Sequence, residues 1–134
     1  MISNEKILEF FKAVEVKDHV VLASGRHSES YINKNALYVG NEIHLLCEEL
    51  VRKMNASLLC ETEVVLGPAT GGIVLTRLVA DYIAKRTEKL PLSVYADILP
   101  NGSYVIRRGY NKLVANKNVL VVDDILTTGG SIKK

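Results

Sequence analysis

Apolar positions along this chain change their period from segment to segment, and the changes mark its elements. From Ser3 to Glu15, Ile7, Phe10, Phe11 and Val14 recur at helical spacing, with Ser3 placed to cap and Glu5 in the first turn. The run His19–Leu22 predicts a short strand, Ser24-Gly25 a turn, and Tyr31-Ile32-Asn33 a strand that pairs back. Asn41 then opens a helix whose apolar stripe runs through Ile43, Leu46, Cys47, Leu50, Val51 and Met54. Val64-Val65-Leu66 predicts a buried strand ending at Gly67-Pro68, followed by a helix from about Gly72 to Arg86. Leu92–Ala96 is the next strand, Asn101-Gly102 a hairpin turn, Ser103–Arg107 the returning arm, and Val119–Val122 the most hydrophobic strand. No repeat or low-complexity tract interrupts this order.

Near-continuous apolar strands alternating with helices predict an α/β fold with a parallel sheet flanked by helices. Ligands of such sheets bind beyond the carboxyl ends of the strands. Two strands here end in unusual loops, 67–72 and 123–131. A length of 134 residues suits one domain.

Composition narrows the functional classes. Hydrophobic residues make up 48% and charged residues 24%, and 17 basic against 15 acidic residues leave a net charge of +2. That balance argues for neither a nucleic-acid nor a membrane partner, and no helix-turn-helix signal is present. No apolar run has the length of a membrane span, and the first ten residues lack the basic start and apolar middle of a signal peptide. Cys47 and Cys60 form no CxxC pair and have no metal-ligand spacing, and Cys47 falls on a helix's apolar face. A reducing cytoplasm is the expected location.

The chemistry concentrates in residues 119–131, VLVVDDILTTGGS. A buried strand delivers two adjacent carboxylates, Asp123 and Asp124, to the sheet edge. Ile125 and Leu126 lead into Thr127, Thr128, Gly129, Gly130 and Ser131. Glycines let successive N–H groups converge on one point, and the hydroxyls add donors, so the loop suits a phosphate. The paired acids beside it can accept hydroxyl donors or hold a hydrated metal ion. The loop is neither a GxxxxGK nucleotide loop nor a GxGxxG dinucleotide loop.

At these residues the sequence resembles the phosphoribosyl-diphosphate (PRPP) loop of type I phosphoribosyltransferases. Leu22–Asn33, LASGRHSESYIN, looks like the N-terminal hood of the orotate members. Leu66–Gly72, LGPATGG, looks like their pyrophosphate loop, and Ile106–Tyr110, IRRGY, like a basic strand end of one bacterial branch. The resemblance implies residues 1–40 as helix and hood and 41–134 as a PRPP-binding core, with a hairpin and mobile loop. It implies transfer of phosphoribosyl from PRPP to orotate, with Mg2+ as cofactor and a homodimer whose mobile loops complete the neighbouring sites. Asp123 and Asp124 would take the ribose and, with Arg108, form the catalytic set. Ile125 to Ser131 would take the 5′-phosphate.

Ala69, Thr70, Gly71 and Gly72, with Arg107, Arg108 and Lys112, would take pyrophosphate. Ser24, Gly25, Arg26, Tyr31 and Lys34 would face the base. For the basic residues a solvated hairpin rim is the alternative, and for Ser24–Arg26 a plain turn. His27 is either an anion contact or an exposed turn histidine, and His19 and His44 have no special context. The chain departs from many orotate enzymes at Ala23 and at Thr70-Gly71, where they carry lysine. No Lys-x-x-x-His-Gly follows Tyr95. Transfer to another base such as a purine therefore stays open, as does a PRPP- or nucleotide-sensing role without catalysis. Because the family continues with a further helix and strands, a partial chain of weak turnover is the expectation.

Overall fold

A computed structural model of the protein describes residues 14–22, 25–126 and 129–133. The chain divides into two units, Met1–Leu46 and Cys47–Lys134, described separately below.

The first unit contains an antiparallel hairpin. Strand β1, Val14–Val21, pairs with β2, His27–Ile32, in the register Val14↔Ile32 and Val21↔His27. The pairing shifts between Val16 and Val20. The turn closes through bonds of 2.8 Å from Leu22 N to Arg26 O and from Gly25 N to Leu22 O, with Gly25 at φ 77°. That left-handed φ is one a glycine adopts at no steric cost. The predicted helix over 3–15 lies outside the described residues up to position 13, and its last two residues, Val14 and Glu15, stand in β1 instead. Valines at 14, 16, 20 and 21 favour the extended backbone there. Helix α1, Lys34–Tyr38, follows as a five-residue element that periodicity could not reveal.

Helix α2, Glu42–Lys53, starts where Asn41 predicts it, and the Asn41 carbonyl accepts from His44 N and Leu45 N. It crosses from the first unit into the second, where Cys47 and Val51 are fully buried. At its end the Val51 carbonyl accepts from Met54 N at 3.2 Å and also from the Arg86 guanidinium at 2.9 Å. A short helix absent from the sequence reading, α3 (Ala56–Glu61), is opened by Asn55, whose side chain accepts from Leu58 N at 2.7 Å.

The second unit is built on a four-stranded mixed sheet in the order β5-β4-β3-β6. Its strands are β3 (Val64–Pro68), β4 (Leu92–Ile98), β5 (Tyr104–Val105) and β6 (Val119–Val121). Central β3 runs parallel to β4 (Val65↔Ser93) and to β6 (Val65↔Leu120). The predicted hairpin arm, β5, is the antiparallel edge, turned at Asn101-Gly102.

Helix α4, Gly71–Thr87, covers one sheet face. Its Val79, Thr76 and Ile83 are fully buried, as are Val64 and Val65 of β3. Thr76 is satisfied there, donating to the Ile73 carbonyl at 2.8 Å and meeting the Ser93 hydroxyl at 2.9 Å. Helices α5 (Tyr110–Val114) and α6 (Gly130–Lys133) are one-turn elements after β5 and β6. An apolar groove of about 230 Å3, lined in part by Leu66, Pro68, Ala96, Val121 and Ile132, lies on the sheet. Among the described residues no helix is long and apolar enough to cross a membrane.

Candidate functional site

Parallel strands β3 and β6 end side by side, so their two loops start as neighbours. The Val122 N–H donates to the Leu66 carbonyl at 2.8 Å, extending the ladder one residue past β6. The Ala69 N–H donates to the Ala96 carbonyl at 2.8 Å and anchors the first loop to the end of β4. That loop holds a cis peptide at Ala69–Thr70 and passes directly into α4 at Gly71.

The close approach of α4 to β3 requires glycine on both sides. A Cβ at Gly72 would stand 2.8 Å from the Gly67 carbonyl carbon and 2.9 Å from its Cα. A Cβ at Gly67 would stand 3.0 Å from Gly72 Cα and 2.9 Å from a Thr76 methyl. Gly71, one residue earlier, faces the second loop instead: its Cβ would come within 2.2 Å of Asp124 Oδ2. The structure thus brings Asp124 onto the start of α4, and Asp123 Oδ1 accepts from the Asp124 N–H at 2.9 Å. Both acids are half-buried, as are Gly71, Gly129 and Gly130, while Leu126 is exposed. Gly129 has φ 73° and its carbonyl accepts from Ile132 N at 3.2 Å. Thr127 and Thr128 lie outside the described residues, and of Ser131 only the backbone, in α6, is described.

The basic residues follow β5. Arg107 and Lys112 are exposed. Arg108, at φ 58°, forms a salt bridge with Asp97 of β4 and lies 5.1 Å from the Tyr95 ring centroid. Tyr110 meets Tyr95 edge-on at 5.8 Å. The hydrogen bond to Asp97 raises the Arg108 pKa further above its usual value, so the guanidinium is a fixed cation. Asp97 and the tyrosine pair were missed in the sequence. The available signal was the alternation Ser93-Tyr95-Asp97, which puts a carboxylate near the end of a parallel strand.

The remaining expected residues belong to the first unit. Gly25 and Arg26 form the hairpin turn and are exposed, and Tyr31 stands on β2 at 40% exposure. Lys34 begins α1, and Ser24 lies outside the described residues. His27 is drawn to His19, a pairing that nothing in the sequence periodicity indicated.

Such a sheet, with glycine-bearing and double-acid loops meeting past its parallel strand ends, defines an α/β domain of the class whose ligands bind at that edge. Residues 33–134 match the phosphoribosyl transferase domain family, and the chain belongs to that family. Its fold is the type I phosphoribosyltransferase fold, a mixed sheet with parallel strands flanked by helices.

Among curated relatives, the orotate phosphoribosyltransferase of Caldanaerobacter subterraneus subsp. tengcongensis is 36% identical over 133 residues, 97% of this chain and 64% of that protein. The protein of the same name from Thermotoga maritima is 35% identical over 131 residues, again 97% and 64%. The chain therefore spans just under two thirds of these relatives' length. Among solved structures, the orotate phosphoribosyltransferase of Aeropyrum pernix aligns with a TM-score of 0.59 at 26% identity, covering 96% of this chain and 67% of that one. That of Francisella tularensis aligns at 0.58 and 22% identity, covering 96% and 59%, a likeness of fold.

Proposed function

We propose that this protein transfers the 5-phosphoribosyl group from PRPP to orotate, giving orotidine 5′-monophosphate and pyrophosphate. The observation that carries the reading is the meeting of Asp124 with Gly71, which sets the double-acid loop against the glycine loop at one sheet edge. The choice of orotate rests on relatives of that name matched over 97% of the chain.

In this reading Asp123 and Asp124 accept hydrogen bonds from the ribose hydroxyls. The turn from Ile125 through Thr127, Thr128, Gly129 and Gly130 to Ser131 holds the 5′-phosphate with backbone N–H groups and hydroxyls. The Ala69–Gly72 loop holds pyrophosphate, with Arg107, Arg108 and Lys112 supplying positive charge. Ser24, Gly25, Arg26, Tyr31 and Lys34 face the base.

The bond from ribose C1 to the pyrophosphate oxygen breaks as a ring nitrogen of orotate bonds to C1, and the proton of that nitrogen leaves to pyrophosphate or solvent. The sugar passes through an oxocarbenium-like state, as in glycoside cleavage. No protein nucleophile is needed, so the protein acts by positioning, by electrostatics and by excluding water.

The donor set fits a magnesium ion carried mostly by substrate oxygens and water. Asp123 and Asp124 are adjacent and partly accessible, and among the described residues no group of three or more acids, histidines or cysteines forms a protein cage. When bound, Mg2+ neutralises charge on the diphosphate. A cytoplasmic homodimer completes the proposal.

The test is pyrophosphate release from PRPP and Mg2+ with orotate as acceptor. Release that depends on orotate and disappears in Asp123→Asn/Asp124→Asn is the expected result. PRPP binding without orotate-dependent release would favour another base, such as a purine, or a sensing role.

A further inference from the structure

The hairpin of the first unit contains a second chemical grouping. His19 of β1 and His27 of β2 approach with Nε2 of the former 2.5 Å from Nδ1 of the latter. Their ring centroids are 4.7 Å apart and the planes are inclined at 41°. Both side chains are exposed. The ladder pairs Val20 with Ser28 and Val21 with His27, while His19 stands in the register shift between Val16 and Val20, so the two rings are presented from adjacent strands of one hairpin.

We propose that His19 and His27 form a two-histidine clamp for a borderline divalent transition-metal ion, Zn2+ or Cu2+. Three features support it. First, the contact brings one nitrogen of each ring together, and a neutral imidazole nitrogen is a ligand that such ions prefer to the hard oxygen sites of magnesium. Second, the spacing is nearly right. Two nitrogens bound side by side at about 2.0–2.1 Å from one ion stand roughly 3 Å apart. The nitrogens need to part by about half an ångström and the rings to turn until both lone pairs converge on the ion, which exposed side chains do by torsional adjustment.

Third, the ladder pairs His27 with Val21 and Val20, next to His19, with Ser28, so part of the backbone ordering precedes the ion. The hydrogen-bonded nitrogen that carries the shared proton becomes a lone pair when its ring shifts to the other tautomer. Among the described residues no third acid, cysteine or histidine completes a larger cluster. Of the two ions Cu2+ binds more tightly, following the general order of affinities.

The experiment is titration of the whole protein with Zn2+ by calorimetry, and with Cu2+ by electron paramagnetic resonance, without PRPP. One Zn2+ per chain and nitrogen hyperfine structure from two imidazoles are expected. His19→Gln and His27→Gln should each weaken binding by at least the roughly tenfold that loss of a mere outer-shell partner costs, while His44→Gln and Cys60→Ser bind as the parent does. Binding that survives both histidine substitutions, or that is lost with Cys60→Ser, overturns the proposal. A readout free of substitutions guards against a misfolded variant: in the parent protein, Cu2+ at low stoichiometry should broaden the ring proton signals of His19 and His27 ahead of those of His44. Equal broadening of all three, or none, refutes the clamp.

Discussion

Gly71 and Gly72 are adjacent, yet the structure assigns them different tasks, and alanine at each separates activity from stability. In Gly71→Ala the new Cβ would meet the Asp124 carboxylate at 2.2 Å, where ordinary contact begins at 3.4 Å. The obstacle is a side-chain end, so the carboxylate moves off by about 1 Å and the fold survives. Misplacement on the order of 1 Å at a positioning group costs about 100-fold. We therefore expect kcat/KM for PRPP, measured as pyrophosphate release with Mg2+ and orotate, to fall by up to about 100-fold, with a melting temperature within a few degrees of the parent.

In Gly72→Ala the Cβ would meet the Gly67 backbone at 2.8 and 2.9 Å. Backbone cannot step aside, so α4 must lift from β3, and overpacking of this kind costs about 1–3 kcal/mol. For a chain of this size each kcal/mol lowers the melting temperature by roughly 3–6 °C. Parent-like kcat/KM in Gly71→Ala together with an unchanged melting temperature in Gly72→Ala would refute the reasoning, because neither close approach would then exist.

Two further outcomes follow from titrating groups. Hydrogen bonds from Lys117 and the Asn118 N–H hold the Glu63 carboxyl below its ordinary 4.5, at the point where β3 and β6 begin. A lowered folded-state pKa means the contribution is complete above about pH 4.5 and is lost as pH falls through the lowered value. Glu63→Gln should therefore flatten the acid limb of the melting-temperature profile, and an acid limb identical to the parent's would refute that role. Burial pushes the Cys47 thiol from 9.0 up to about 11, while Cys60 is exposed. At pH 8 one thiol per folded chain, Cys60, should react with a disulfide reagent, Cys47 following only in denaturant; rapid reaction of both in the folded protein would count against this packing.

Much of the fold was legible because burial writes its period into the chain. The strands Val64–Pro68, Leu92–Ile98 and Val119–Val121 coincide with apolar runs, and α2 and α4 with apolar stripes, since each must present a continuous hydrophobic face to one core. The hairpin at Asn101-Gly102 was legible for a local reason, the turn chemistry of that dipeptide. Helices α1, α3 and α5, of five or six residues, complete too few turns to show a period. The extension of β1 back to Val14 was masked by apolar spacing that also fits a helix, and pairing with β2 decides it. Of the site, the two loops were visible because glycines and paired acids mark them in the sequence itself.

What the sequence determined alone was therefore the set of elements, the double-acid loop after the last strand and the glycine loop after the first strand of the sheet. Those are local properties of period, propensity and backbone freedom. Only the tertiary structure decided that Asp124 rests on Gly71, that Gly67 and Gly72 must both lack a side chain, that Arg108 pairs with Asp97, and that His19 meets His27. Each joins residues from different elements. Their distance is fixed by strand order, register and helix packing, which depend on the whole chain burying its apolar surface at once.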